Sequence, residues 1–176
     1  MRHNLAILTL VLMVLLPSLL MVKALHDRGN GLVWQVDMTG YDPRDLLRGH
    51  YLNFRYDWDI VDVDSSEHCI AGQACCLCLT ERAPNDFTNP QVRAVDCRNE
   101  SIARQCTSRL KNMNAMMGPQ IYYVPEDHAL RLEKMLRDGG HDFKMEIAVP
   151  RSGGPAMIRD LYVDQKPLAS FLTQPD

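Results

Sequence analysis

The sequence predicts an α+β domain with a mainly antiparallel β-sheet and two or three short helices, preceded by one N-terminal transmembrane helix. Three observations support this prediction. Several short segments alternate apolar and polar residues with a period of two, as half-buried strands do. Residues 125–140 have the apolar spacing of an amphipathic helix, and residues 5–22 carry no charged side chain.

The N-terminal run, LAILTLVLMVLLPSLLMV at 5–22, would extend about 27 Å as a helix, close to the ~30 Å of a bilayer core. A cleaved secretory signal is the alternative, with Arg2 as its basic region and Val22-Lys23-Ala24 as a cleavage site. We favour a retained anchor because the run continues past Pro17. The expected domains are 1–24, anchor or signal sequence; 25–31, flexible tether; and 32–176, extracytoplasmic domain.

The sequence predicts mainly strands in the first half of the domain. Leu32–Met38 and His50–Trp58 alternate in polarity, and Leu52, Phe54, Tyr56 and Trp58 share one face of the second segment. Between them, Asp42 and Pro43 suit the start of a very short helix that ends at Gly49. Two further strands are expected at Cys75–Arg82 and Gln91–Cys97, joined by a hairpin loop at 83–90.

The second half mixes helices and strands. We expect helices at Ser101–Met117 and at 125–140, the latter capped by Gly139. The expected strands are Gln120–Val124, Phe143–Val149, Ala156–Val163 and Leu168–Leu172, the last two joined by a turn at 164–167.

Charge and cysteine usage narrow the functional classes. The formal net charge of −3 falls to about −5 without Arg2 and Lys23, so neither nucleic acid nor a polybasic lipid-binding segment is indicated. The six cysteines lie within 38 residues and suit disulfides in an oxidising compartment: Cys69, Cys75, Cys76, Cys78, Cys97 and Cys106. Fifteen pairings are open, although Cys69 with Cys75 and Cys97 with Cys106 would close short loops.

The CCLC segment at 75–78 leaves two other interpretations open. On a strand, Cys76 and Cys78 share one face and Cys75 lies on the other. A metal site with Cys76, Cys78 and His68 lacks the paired CxxC spacing of zinc sites, and a redox motif would need a helix start. We expect no metal and no cofactor.

The segment DPRDLLRG is dense in charge and precedes the clearest strand. Asp42, Pro43, Arg44, Asp45, Arg48 and Gly49 either form a charged docking surface or a structural turn in which Asp42 caps and Arg48 pairs with Asp45. We favour the structural interpretation. Tyr51 and Tyr56 follow on the strand.

Several ordered blocks resemble one family. DPRDLLRG, then GHYLNFRY at 49–56, YYVPE at 122–126 and LYVDQKPL at 161–168 are similar to the GDYXXLXY family of bacterial membrane-anchored proteins. The resemblance implies a membrane-tethered extracytoplasmic domain in the bacterial inner membrane, single-pass, with the C-terminal domain in the periplasm and a multi-pass membrane protein as partner. His50 replaces the family Asp and Phe54 its Leu, which makes a catalytic role for position 50 less expected.

An enzymatic function is not favoured. A serine-lysine peptidase would need a serine just after the membrane segment, but the next serine after Ser18 is Ser65. We therefore expect a non-enzymatic partner of a multi-pass membrane protein. The alternative is an envelope cysteine-based redox or metal-binding protein.

Overall fold

The computed structural model of the chain describes residues 2–40, 51–63, 75–111, 113–151 and 153–173. In these ranges the helices are α1 (Arg2–Asn30), α2 (Glu100–Ala103), α3 (Met113–Met117), α4 (Glu126–Asp138) and α5 (Leu168–Leu172). The strands are β1 (Leu32–Gly40), β2 (Tyr51–Tyr56), β3 (Asp59–Val63), β4 (Cys75–Thr80), β5 (Gln91–Asp96), β6 (Ser108–Leu110), β7 (Gln120–Tyr123), β8 (Phe143–Val149), β9 (Met157–Val163) and β10 (Lys166–Pro167). The predicted α+β class with mostly antiparallel sheets is confirmed.

Six strands form the larger sheet, in the order β10-β9-β8-β1-β2-β7, and every neighbouring pair is antiparallel. β1 lies inside this sheet and pairs with β8 from Leu32↔Val149 to Asp37↔Lys144. Because side chains alternate along a strand, Trp34, Val36 and Met38 of β1 are buried on the inner face. The intervening residues of β1 lie on the outer face.

Four strands form the smaller sheet, in the order β3-β5-β4-β6. β4 is antiparallel to β5 and β6, whereas β3 runs parallel to β5. Leu77 and Leu79 of β4 face the core that the two sheets share. Cys76 and Cys78 face the other way, as the period of two predicts, and form a small separate cluster with Val95.

Trp34 joins the two sheets at the centre of the shared core. Its indole Nε1 donates a buried hydrogen bond of 3.0 Å to Ser108 Oγ of β6. Its ring meets Phe87 of the β4–β5 loop edge to face at 5.1 Å between centroids. One fully buried side chain of β1 therefore contacts both β6 and the β4–β5 loop, and this supports the view that the two sheets form one folding unit.

The β4–β5 loop extends the larger sheet. Phe87 O accepts from Gln35 N at 2.9 Å, and Asn89 N donates to Gln35 O at 2.7 Å. These bonds pair the loop with the edge of β1 ahead of the point where β2 begins to pair. The positive φ angles of Asn85 (63°) and Asn89 (42°) turn the chain at either end of this contact.

Two secondary-structure predictions are wrong. The predicted helix Ser101–Met117 is divided into α2, β6 and α3, because Ser108–Leu110 pairs with β4 and Cys106 is bonded to Cys78. The predicted strand Leu168–Leu172 is helix α5. The backbone turns at Asp164 and Gln165, whose φ angles are 49° and 65°, so that β9 and β10 form a tight hairpin before Pro167 starts α5.

The connection between α1 and the sheet differs from the expected flexible tether. Residues 25–30 continue α1, and Gly31 alone stands between Asn30 and the first residue of β1. The predicted helix at 125–140 is confirmed as α4, with Gly139 at φ 72° after its last turn. α4 packs close to the end of β1, where a Cβ on Gly40 would lie 3.2 Å from Leu136 Cβ.

Candidate functional site

The motif strand β2 supplies core residues on its inner face. Leu52, Phe54, Tyr56 and Trp58 are all buried, as the alternation predicts. The Phe54 and Tyr56 rings meet edge to face at 5.2 Å, and Trp58 Nε1 donates to Met116 O at 3.1 Å. Burial raises the pKa of the Tyr56 phenol far above its ordinary value. Tyr56 therefore has a structural role.

The whole of the predicted charged segment at 42–49 lies outside the described residues. This holds for Asp42, Pro43, Arg44, Asp45, Arg48 and Gly49, and also for Cys69. The backbone of Tyr51 is described, and it pairs directly with Tyr123 of β7. The register thus places the start of the motif strand beside β7.

The outer face of β2 and β7 carries exposed apolar side chains. Tyr123 is 77% exposed and Ile121 is 50% exposed. Ile121 stands opposite Asn53 in the register, and the exposed Arg55 follows along β2. We call Asn53, Arg55, Ile121 and Tyr123 the β2–β7 surface. Ile121 and Tyr123 make this surface a candidate contact site for a partner.

A polar cluster fixes the outer face of β1 and β8. The Asp37 carboxylate accepts from Lys144 Nζ at 2.8 Å and from Asn89 Nδ2 at 2.6 Å, while Asn89 Oδ1 accepts from Asp37 N at 3.0 Å. Burial alone would lower the pKa of Lys144, but the hydrogen bond and charge of Asp37 and the charge of Asp142 outweigh it and raise the pKa. These groups satisfy each other, so the cluster attaches the β4–β5 loop to β1.

The cysteines form disulfides that cross-link the smaller sheet. Cys76 bonds to Cys97 across 21 residues, and Cys78 bonds to Cys106 across 28 residues. The short loop between Cys97 and Cys106 is therefore not the one that is closed, because the shared face of Cys76 and Cys78 presents each sulfur to a different segment. Cys75 is disulfide-bonded as well.

The described residues offer no arrangement for metal chemistry. No group of three or more His, Cys, Asp or Glu among them could hold a metal ion. Cys76 and Cys78 are fully buried within their disulfides, so no thiolate is presented there for exchange. The predicted absence of a cofactor stays a prediction.

Helix α1 exposes apolar side chains along its length. The exposed fraction of its large apolar side chains from Leu10 to Leu25 ranges from 50% at Val11 to 79% at Met13. Within the residues described, no helix meets the combined length and hydropathy of a membrane span. The helical structure predicted for this segment is confirmed, and its placement in a membrane stays a prediction.

The C-terminal end of α1 contacts the larger sheet. Leu25 and Gly29 line an open cleft of about 410 Å³ together with Glu146 of β8 and with Arg159 and Asp160 of β9. Arg159 Nε lies 3.5 Å from Glu146 Oε1. The C-terminal end of α1, which we call its base, thus lies beside three charged side chains on the outer face of the sheet.

Sequence reasoning did not identify the β2–β7 surface. One signal was present, because Ile121, Tyr122 and Tyr123 are consecutive apolar residues in a strand that has only one core face. A strand of this kind at the end of the sheet order must expose some of them. The meeting of β7 with the motif strand depends on sheet order, which local patterns do not give.

These features define a class of protein: an α+β domain of two sheets with internal disulfides, which follows directly on the 29-residue helix α1. A sequence model of the family described as GDYXXLXY protein matches residues 13–161. Since this match covers most of the chain, the chain belongs to the GDYXXLXY family, and the resemblance noted above is confirmed. No curated protein and no solved structure matches the chain.

Proposed function

We propose that this chain is a membrane-tethered extracytoplasmic domain that acts by binding a multi-pass membrane protein and has no enzymatic activity. α1 would be retained as a single-pass anchor in the bacterial inner membrane, with the C-terminal domain in the periplasm. The observation that supports the tether most directly is the exposure of consecutive apolar side chains on α1, from Leu10 to Leu25.

Exposing the apolar surface of α1 to water is unfavourable in free energy. Side chains such as Leu12, Met13 and Leu16 are more than half exposed, and each would gain about 1.5–3 kcal/mol from full transfer out of water. The uncharged run at 5–22 places these residues where lipid hydrocarbon would solvate them. The disulfides Cys76–Cys97 and Cys78–Cys106 agree with an oxidising compartment on the far side of the membrane.

The β2–β7 surface is the proposed contact for the partner, together with the charged segment 42–49 and Tyr51. β1 leads away from α1 over nine residues, and β2 pairs with its far end. The contact surface therefore lies about 30 Å along the sheet from the base of α1. We propose that the partner presents an extracytoplasmic loop or domain, because membrane-embedded helices would not reach this end.

The redox or metal-binding alternative has less support. Cys76 and Cys78 are fully buried and their partners Cys97 and Cys106 are partly buried, whereas thiol exchange requires access of an attacking thiolate to a sulfur. No observation on the described residues favours a metal at these sulfurs.

Carbonate extraction of membranes tests the tether. We expect the full chain to stay in the membrane pellet, and we expect Leu12→Lys with Leu16→Lys to release it, because each charge costs about 2.5–3.5 kcal/mol at the centre of a membrane helix. The matched control is His26→Lys with Asn30→Lys, which has the same spacing outside the apolar run. Release of the unaltered chain would overturn the tether.

Photo-crosslinking in intact membranes tests the partner. A crosslinking amino acid at Tyr123 should capture a multi-pass membrane protein, whereas one at the exposed Arg104 beside α2 should not. Equal capture from both positions, or capture at Arg104 alone, would contradict the assigned surface.

A further inference from the structure

Three basic residues from two separate segments meet at one end of the larger sheet. Gly154 N donates to Arg109 O at 3.2 Å, and Lys111 N donates to Gly154 O at 3.0 Å. The turn that contains Arg151 is closed by a bond of 2.8 Å from Gly153 N to Pro150 O. Two backbone segments 42 residues apart in sequence, counted from Arg109 to Arg151, are thus held side by side.

This group of residues lies at the base of α1. Leu32, the first residue of β1, pairs with Val149, the last residue of β8, and the turn follows at once. Since Gly31 alone separates Leu32 from α1, the turn stands beside the end of the helix. Leu25 and Gly29 of α1 line a cleft with Glu146 of β8 and Arg159 of β9, so the last turns of α1 lie beside these two strands.

The local charge at the base of α1 is opposite in sign to the net charge of the whole chain. Lys111 and Arg151 are exposed and Arg109 is partly exposed. Within the described ranges, no ion pair joins any of the three to an acidic side chain, although other basic residues have such pairs. Nearby, Glu146 pairs with Arg159, and Asp160 also lines the cleft. The base therefore has an excess of positive charge in a chain whose formal charge is −3.

We infer that Arg109, Lys111 and Arg151, which we call the basic rim, bind the phosphate headgroups of acidic phospholipids. This inference rests on the proposed tether. If the apolar run ends at Val22, the eight helical residues that follow span about 12 Å, so the end of α1 beside the rim lies within about 12 Å of the hydrocarbon edge. The headgroup layer is roughly 5–8 Å thick on each side, and long basic side chains span the remainder.

A lipid is favoured over an acidic protein loop as the ligand. Tethering alone brings the rim to the headgroup layer, with no further partner needed. At about physiological salt the Debye length is ~8 Å, so charges at this distance still attract an anionic surface. The proposed protein contact lies at the opposite end of the sheet.

Hydrogen exchange on the full chain in nanodiscs tests this inference. Nanodiscs of phosphatidylcholine are compared with nanodiscs that also contain phosphatidylglycerol. We expect exchange of the amides of Lys111, Gly153 and Gly154 to slow severalfold in the presence of phosphatidylglycerol, and the effect to vanish at ~1 M salt, where the Debye length is ~3 Å. Arg109→Ser with Lys111→Ser and Arg151→Ser should abolish the difference.

The control variant removes the same charge from the opposite end, by Lys134→Ser, Arg137→Ser and Lys166→Ser, and should keep the lipid effect. A full chain that inserts but shows no dependence on phosphatidylglycerol would overturn the inference and leave the tether intact. If the chain does not insert, both the tether and the rim's lipid role are excluded.

Discussion

The two sheets of this domain are stabilised in different ways. The larger sheet buries an aromatic and aliphatic inner face built on Trp34, Phe54, Met145 and Leu161, with no disulfide between its described strands. The smaller sheet gives one face to that core, but its other face holds only a small cluster around Cys76 and Cys78. Where apolar burial is plentiful, packing is sufficient, and where it is sparse, covalent links replace it.

The two sheets also differ in how strongly their stability depends on the redox state of the compartment. Core packing persists in any redox environment, whereas the smaller sheet depends on disulfides that form in oxidising compartments. Export would thus be needed for the full stability of one half of the domain and not of the other.

The largest expected effect comes from Trp34→Ala, which removes the side chain shared by both sheets. We expect a loss of about 3–5 kcal/mol in the free energy of unfolding, because a large cavity forms and Ser108 loses its donor. Urea unfolding of the detergent-solubilised chain, followed by circular dichroism, measures it. Tyr123→Ala is the control and should change stability by less than about 0.5 kcal/mol, since Tyr123 is 77% exposed. Equal effects would contradict the central position of Trp34.

The next effect is confined to the smaller sheet. Cys78→Ala with Cys106→Ala opens a link across 28 residues and should cost about 3.5 kcal/mol by the chain-entropy relation. Hydrogen exchange should speed up in β4 and β5 and stay slow in β1 and β8. Uniform acceleration across both sheets would mean that the disulfide supports the whole domain.

Thiol counting on protein purified without reductant checks the same disulfides directly. We expect Cys76, Cys78, Cys97 and Cys106 to be unreactive until a reductant is added. Free thiols protected by a bound metal would instead favour the alternative function.

Asn89→Asp tests the connection between the sheets. The new carboxylate would face Asp37 Oδ2, where the Asn89 amide now donates at 2.6 Å, so we expect a loss of about 1–3 kcal/mol. Asn85→Asp is the matched control, because it adds the same charge at another positive φ in the same loop. If both variants lose the same stability in urea unfolding, the Asp37 contact contributes nothing.

The smallest effect concerns pH. The hydrogen bond from His141 lowers the pKa of Asp164, aided by the backbone N–H of Asp142. The stability from this lowered pKa is present above the ordinary Asp value of ~3.9 and is lost as pH falls through the lower folded value. His141→Ala should flatten the fall in unfolding free energy below about pH 4, while the loss of its ring contacts with Phe143 and Phe171 is independent of pH. An unchanged slope would exclude this pair.

Local pattern accounts for much of the fold. The alternation in Leu32–Met38 and in Leu52, Phe54 and Tyr56 gave two neighbouring strands, and the apolar stripe at 125–140 gave α4. The helix predicted at Ser101–Met117 failed because β6 is defined by pairing with β4, some thirty residues earlier, and by the disulfide of Cys106. Asp59, Ile60, Val61 and Asp62 of β3 are all exposed and apolar and polar residues do not alternate along the strand, so its sequence carries no strand signal.

The candidate surfaces depended more heavily on tertiary structure. Tyr51 and Tyr123 become neighbours only through the order of strands, and Arg109 and Arg151 through bonds to Gly154 and its turn. Contacts between residues so far apart in sequence produce no periodic pattern. The sequence could indicate which residue types can form a site, but not which of them lie together in the fold.

The single residue between α1 and β1 has a mechanical consequence. A load applied to α1 along the strand passes through Gly31 into β1, which lies between β8 and β2 inside the sheet. The six register pairs from Leu32↔Val149 to Asp37↔Lys144 would then bear the load together in shear, instead of opening one after another. Pulling on the helix therefore strains the middle of the larger sheet. Because β2 pairs with β1, the strain on β1 also reaches the motif strand β2.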